Sequence, residues 1–241
     1  MKSLFTIALI AFISVGSTYG QDVTVDEIVD TYYEAIGGKE AWRKVKTMKI
    51  TGEGVQMGMK FPVTVLAKEP NLTKVDVDIQ GMKITEAYDG EVAWATNPFG
   101  GMTEPTKKSD EETVEAAKEM FQDDLLDYKE KGHTVTLEGT EEYEGTETYK
   151  LKLLRADGTE RIYFFDTELM IPIAMRTTPQ TGQMKGQTID AISSDFQEVD
   201  GLMVPFSLKQ TVGGQTMMEM IATKVELNVA ISDAEFSFPG N

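Results

Sequence analysis

The spacing of apolar positions along the chain changes twice. Val25, Ile28, Val29, Tyr32, Tyr33 and Ile36 recur every three or four positions, which predicts a helix that buries one stripe. Thr24, followed three places on by Glu27, provides a capping box at its start, and Gly37 and Gly38 provide a stop. The stretch KEAWRKVK reads as a short second helix, with Trp42 and Val45 free to pack. From residue 46 the period becomes two. In KFPVTVLAKE, Phe61, Val63, Val65 and Ala67 point one way and Lys60, Thr64 and Lys68 the other; in LTKVDVDI, Val75, Val77 and Ile79 alternate with Lys74, Asp76 and Asp78. One dry and one wet face per strand is the pattern of an antiparallel sheet covered on a single side. Across GEG at 52–54 the apolar parity switches from Met48 and Ile50 to Val55, Met57 and Met59, which predicts a bulge that bends the sheet.

After a loop over NPFGGMTEPTKK, Ser109 and Glu112 form a second capping box. Val114, Ala117, Phe121 and Leu125 then fall along one predicted helix face. Strand patterns resume to the end, separated by turn signals such as Asp157-Gly158, Asp200-Gly201 and Gly213-Gly214. The total is about ten or eleven strands with two helical insertions and no internal repeat, and a sheet of that size curls.

The first twenty residues hold Lys2, the apolar run LFTIALIAFISVG and the small-residue stretch STYG, the three parts of a secretory signal. Cleavage is expected after Gly20, leaving one domain over 21–241. The alternative, an uncleaved anchor, is disfavoured because the run of about 13 residues is short of the roughly 20 that span a bilayer. The chain has no cysteine, so neither a lipid-modified N-terminus nor a disulfide framework is expected. With 23 Lys and Arg against 40 Asp and Glu, the net charge is −17. Phosphate backbones would repel such a chain, so nucleic acid is a poor partner.

Reactive groups are sparse. The single histidine, His133, reads as a surface residue at a strand end, and without cysteine or a second imidazole it completes neither a metal set nor a nucleophile pair. The carboxylates sit in clusters such as SDEETVE and EGTEEYEGTE, which read as solvated faces, and neither phosphate-cradling glycine pattern occurs. The expectation is a protein that is not an enzyme and uses no cofactor or metal. Soft apolar bulk is plentiful instead: 14 methionines, mostly in strands, and the aromatic residues Trp94, Phe99, Phe121, Phe164 and Phe206. These suit either an ordinary core or an irregular apolar guest.

The segments AKEPNL and YDGEVAWATNPF, then FFDTELMIPIAMR, DFQEVDGLMVPFSLKQ and the terminal DAEFSFPGN, follow one another in an order that resembles the LolA-like outer-membrane lipoprotein-sorting protein family. The likeness extends over nearly all of 21–241. It implies an incomplete antiparallel β-barrel with helices covering an apolar cavity. The implied function is a periplasmic carrier or binder of acyl chains, on lipoproteins or as free lipid, with inner- and outer-membrane lipoprotein-transport components as further partners. The cavity residues it suggests are Met57, Phe61, Val63, Val65, Val77 and Trp94 on the sheet, with Phe121 and Leu125 on the covering helix. One position departs from the family: an arginine that binds the lid in its K-R-P-N turn is replaced by Glu69, and an ionised carboxylate cannot donate those hydrogen bonds. The competing expectation is a half-barrel with a filled interior that binds a protein partner.

Overall fold

The computed structural model describes residues 23–182 and 184–240; the secretory segment read in residues 1–20 lies outside the described residues. Helices α1 (Val25–Ala35) and α2 (Lys39–Arg43) lead into strands β1 (Thr47–Gln56), β2 (Met59–Lys68), β3 (Leu72–Ile79), β4 (Met82–Tyr88), β5 (Ala93–Asn97) and β6 (Met102–Lys107). Helix α3 (Asp110–Lys118) and an irregular segment, 119–133, precede β7 (Thr134–Tyr143), β8 (Thr146–Leu154), β9 (Glu160–Asp166) and β10 (Pro172–Thr177). Strands β11 (Ile189–Val199), β12 (Leu202–Val212) and β13 (Gln215–Leu227) complete the set.

All of these strands form one antiparallel sheet in the order β6-β5-β4-β3-β2-β1-β13-β12-β11-β10-β9-β8-β7. Two hairpin series, β1–β6 and β7–β13, are joined where the first strand pairs with the last. Edge strands β6 and β7 do not pair with each other, so the sheet is open. It is nonetheless curled, because Val75 and Tyr88 of β3 and β4 line one cavity with Arg161 and Met175 of β9 and β10.

Three expectations change. The sheet has 13 strands, more than ten or eleven; β6 lies within the stretch read as loop, and its Pro105 is tolerated because an edge strand has N–H groups that need no partner. The bulge at GEG is present, but the extra residue belongs to the partner strand: Thr51 faces Lys224 and Gly52 faces Ala222, while β1 and β2 pair without interruption. Gly52 and Gly54 therefore stay on the face of Met48 and Ile50. A Cβ at Gly52 would lie 2.2 Å from the Ile221 carbonyl oxygen, and one at Gly54 would lie 2.2 Å from the Phe61 ring.

The third change concerns α3, which ends at Lys118, so Phe121 and Leu125 lie beyond it and Val114 faces solvent. Its C-terminal carbonyls, lacking helical partners, are taken from outside. Asn71 donates to the Ala117 oxygen at 3.1 Å and the Arg155 guanidinium donates to the Lys118 oxygen.

Both capping boxes form with their reciprocal hydrogen bonds. The whole predicted stripe of α1 packs onto Leu151, Leu153, Tyr163 and Phe165 of β8 and β9, together with Leu125 and Leu126. Gly37, at φ 107°, brings the helix end so close to the β11–β12 turn that a Cβ would meet the Gly201 carbonyl oxygen at 2.6 Å. Past β13 the chain runs behind β5 to bury Phe236. Among the described residues no helix is long and apolar enough to cross a membrane.

Candidate functional site

Register decides which of the sequence-nominated residues share a face. Val63 faces Val77 and Val65 faces Val75 across β2–β3, and Phe61 faces Gly54 on β1, so Phe61, Val63, Val65 and Val77 line one side of the sheet. Trp94 does not join them. On β4 and β5, Glu86 pairs with Ala95 and Ala87 with Trp94; Glu86 in turn pairs with Val75, so Trp94 lies on the opposite side. There it is 4 % exposed, its indole N–H donates to the Phe236 carbonyl at 2.8 Å, and its ring meets Phe238 edge-on. Met57 is at the tip of the β1–β2 turn, 94 % exposed.

Glu69 makes no hydrogen bond or ion pair to α3 among the described residues. Its carboxylate pairs with Lys46 at 2.7 Å and its backbone N–H donates to the Lys46 carbonyl. The turn still holds the covering segment, through its next two residues: the Pro70 carbonyl accepts the Phe121 N–H at 2.9 Å, and Asn71 caps α3.

Of the eight nominated residues, Phe121 alone lines the apolar cavity, a space of about 430 Å³ between α1, the 119–133 segment and strands β9 to β12. Tyr32 and Ile36 come from α1, Phe121 and Leu126 from the irregular segment, and Met175, Phe196, Met203 and Leu208 from the strands. Leu125 is fully buried in the adjoining core rather than on the wall. The strand residues were missed because the cavity forms where elements distant in sequence converge. Methionines at 175 and 203 were a signal, but Phe196 reaches the wall only because Asp195, at φ 53°, breaks the strand alternation.

One side of this cavity is polar. Asp123 accepts the Leu125 N–H at 2.7 Å and the Tyr33 hydroxyl at 3.3 Å. It keeps accessible surface here, yet the surrounding protein raises its carboxyl pKa, with Asp124 adding to the effect and the Leu125 N–H opposing it. The Tyr163 hydroxyl, buried beside it, has no hydrogen-bond partner among the described residues, and burial raises its pKa strongly. Behind them Arg161 pairs with Asp124 at 3.0 Å. His133 belongs to this cluster and is not a surface residue: its side chain is 10 % exposed, with Nε2 3.7 Å from Asp124.

A second cavity, of about 530 Å³, lies between α3, β3–β5 and β9–β10. Glu86, Glu112, Glu115, Glu119 and Glu160 line it with Lys108 and Arg161, so it carries seven charged side chains where the first carries Asp123 alone.

No protein-family model matches the chain, and no curated protein sequence matches it. Solved structures do. A DUF1329 family protein from Desulfovibrio piger superposes with a TM-score of 0.57 at 12% identity, over 88% of this chain and 97% of that one. A LolA superfamily protein from Nitrosomonas europaea gives 0.55 at 13% identity, over 89% and 98%. An outer membrane lipoprotein-sorting protein domain from Vibrio parahaemolyticus gives 0.56 at 10% identity, over 87% and 94%. At these identities the likeness is one of architecture, and the chain has the fold that these LolA superfamily and lipoprotein-sorting domain proteins share.

Proposed function

We propose that the protein is exported to the periplasm, its signal cleaved after Gly20, and that it carries or binds acyl chains in the apolar cavity without catalysing a reaction. The role is sorting lipoproteins to the outer membrane, with lipoprotein acyl chains or free lipid as cargo and membrane transport components as partners. The observation that supports this is the 430 Å³ cavity walled by Tyr32, Phe121, Met175, Met203 and Leu208, on a fold shared with LolA superfamily and lipoprotein-sorting domain proteins among others. Its volume lies within the roughly 300–1,000 Å³ of small-molecule sites, and unbranched thioethers adapt to a flexible guest. The carboxylates of the larger cavity would have to be desolvated against a methylene chain, so that space is the poorer host. The Val63, Val65 and Val77 face belongs to the same proposal as a continuation of the apolar surface along β2 and β3.

Burying a sixteen-carbon chain yields at most about 12 kcal/mol at roughly 0.8 per methylene, against an association cost of about 4 to 15 kcal/mol. The net gain is therefore at most about 8 kcal/mol, an affinity from weak to about micromolar, which is compatible with release of cargo. Solvent extraction and mass spectrometry of the purified protein should recover lipid. Leu208→Glu, at a partly exposed wall position, should weaken uptake of a fluorescent fatty acid more than tenfold at unchanged melting temperature, and Phe121→Glu should do the same. A clean extract with no probe uptake would instead favour the filled-interior module, to which the fully buried Leu151, Leu153 and Phe165 beneath α1 lend support.

A further inference from the structure

Antiparallel neighbours bring alternate connections to the same end of a sheet. On one edge of this sheet, six connections follow one another in strand order: β5–β6, β3–β4, β1–β2, β12–β13, β10–β11 and, at the far end of the row, β8–β9, which carries Arg155 and Asp157 and is set apart from the other five. Four of them present exposed apolar side chains. Met57 sits in the β1–β2 turn and Met59 follows it, Met82 follows the β3–β4 turn, Phe99 lies in the β5–β6 connection with Met102 just after it, and Met217 follows the β12–β13 turn. A solitary exposed apolar residue is ordinary, but repetition on adjacent tips is not.

Charge separates along the same line. The first five tip segments, 55–60, 79–83, 97–103, 178–188 and 212–218, contain no Asp or Glu in a chain that has 40, while Lys60, Lys83 and Lys185 fall within them. Lys60 and Lys83 pair with Glu53 and Asp76 on the strands just behind the tips, at 3.0 and 2.8 Å. Connections at the opposite edge carry Glu69, Asp89, Glu91, Glu168 and Asp200. Met57 adds a backbone argument. It takes φ 50° in a two-residue turn, a conformation that favours Asn or Gly. With its side chain almost wholly in solvent, the thioether contributes little to the fold that would explain its place there.

We infer that this edge docks on a lipid bilayer, with the Met and Phe tips entering the headgroup boundary and the lysines meeting lipid phosphates, Lys60 and Lys83 in exchange for their pairs with Glu53 and Asp76. The tips are strung along ten adjacent strands spaced about 4.8 Å apart, which suits a broad fluid surface better than a protein groove. The strongly acidic remainder is repelled by anionic lipid, and that repulsion orients the five acid-free tips towards the membrane.

Sedimentation of the exported form with vesicles of phosphatidylcholine and a minority of phosphatidylglycerol tests this. The wild type should co-sediment. The Met57→Asp/Phe99→Asp variant should lose at least tenfold in partitioning while melting at the same temperature, since both side chains are exposed. Met57→Trp should show a blue-shifted emission when vesicles are added. The inference is overturned if the wild type stays in solution, if the double variant partitions equally, or if the new tryptophan does not respond. It is overturned also if the same double variant instead abolishes a concentration-dependent dimer, which would make a second copy the occupant. Vesicle binding without fatty-acid uptake would leave this inference standing and remove the acyl-carrier reading.

Discussion

The Nδ1 of His133 accepts the Ala156 N–H at 3.2 Å, so that nitrogen carries no proton in the folded protein. Burial lowers the imidazole pKa from its ordinary 6.5; Asp124 and Asp157 oppose the shift, and Arg155 and Lys131 reinforce it. The unfolded chain therefore binds a proton that the native state resists. This contribution to stability is present above about pH 6.5 and is lost as pH falls through the depressed native value. His133→Gln keeps an acceptor and cannot titrate. Its denaturation midpoint should fall less between about pH 7 and about pH 5 than the wild-type midpoint does, and parallel curves would remove His133 as a source of acid sensitivity. A lone histidine after Gly132 reads as solvated because nothing nearby in sequence covers it. Its cover is Asp124 from the irregular segment and the turn at Ala156, neither of which its own strand pattern contains.

Helix α3 illustrates the same division at the level of elements. Its start was legible because a capping box is local, and Ser109 and Glu112 make both reciprocal bonds. Its end was not. The apolar spacing of Ala117, Phe121 and Leu125 continues a helical period, yet the chain leaves the helix at Glu119, where ψ is 111°. The groups that receive its last carbonyls, Asn71 and Arg155, lie on distant strands' ends. Asn71, not Glu69, is thus the side chain of that turn that grips the covering segment. Asn71→Ala should cost about 1 kcal/mol and speed amide exchange around residues 116–121. Glu69→Gln, which loosens a partly exposed pair with Lys46, should change exchange there very little. The reverse ranking in exchange mass spectrometry would contradict this arrangement.

For the whole molecule, one-sided alternation was enough to identify antiparallel strands and to group Phe61, Val63, Val65 and Val77 on one face, because hairpin pairing is settled by neighbours in sequence. Trp94 was misplaced because the tail covers the outer side of β5, so that Ala93, Trp94 and Ala95 are all buried, and alternation then carries no information about side. The cavity was largely illegible, since it lies among α1, the irregular segment and β9–β12, whose meeting depends on the curl of the sheet. The pairing of β1 with β13 was equally hidden, and it is the closure that makes one sheet of two hairpin series. Strand β13 stands between β1 and β12 in the middle of that sheet. A chain ending at Gly214 would strip both neighbours of their ladder and remove the tail, leaving two series with no shared strand. It should show no cooperative thermal transition and little near-ultraviolet circular dichroism. A chain ending at Ile231 keeps β13, the Asn228 bond to the Lys46 N–H and the Thr47 bond to the Val229 carbonyl. It should still melt cooperatively, at a lower temperature, with red-shifted tryptophan emission because Phe236 and Phe238 no longer cover Trp94. Cooperative melting of the Gly214 chain would show that the two series fold independently and that the β1–β13 ladder is an attachment, not the structural centre of the sheet.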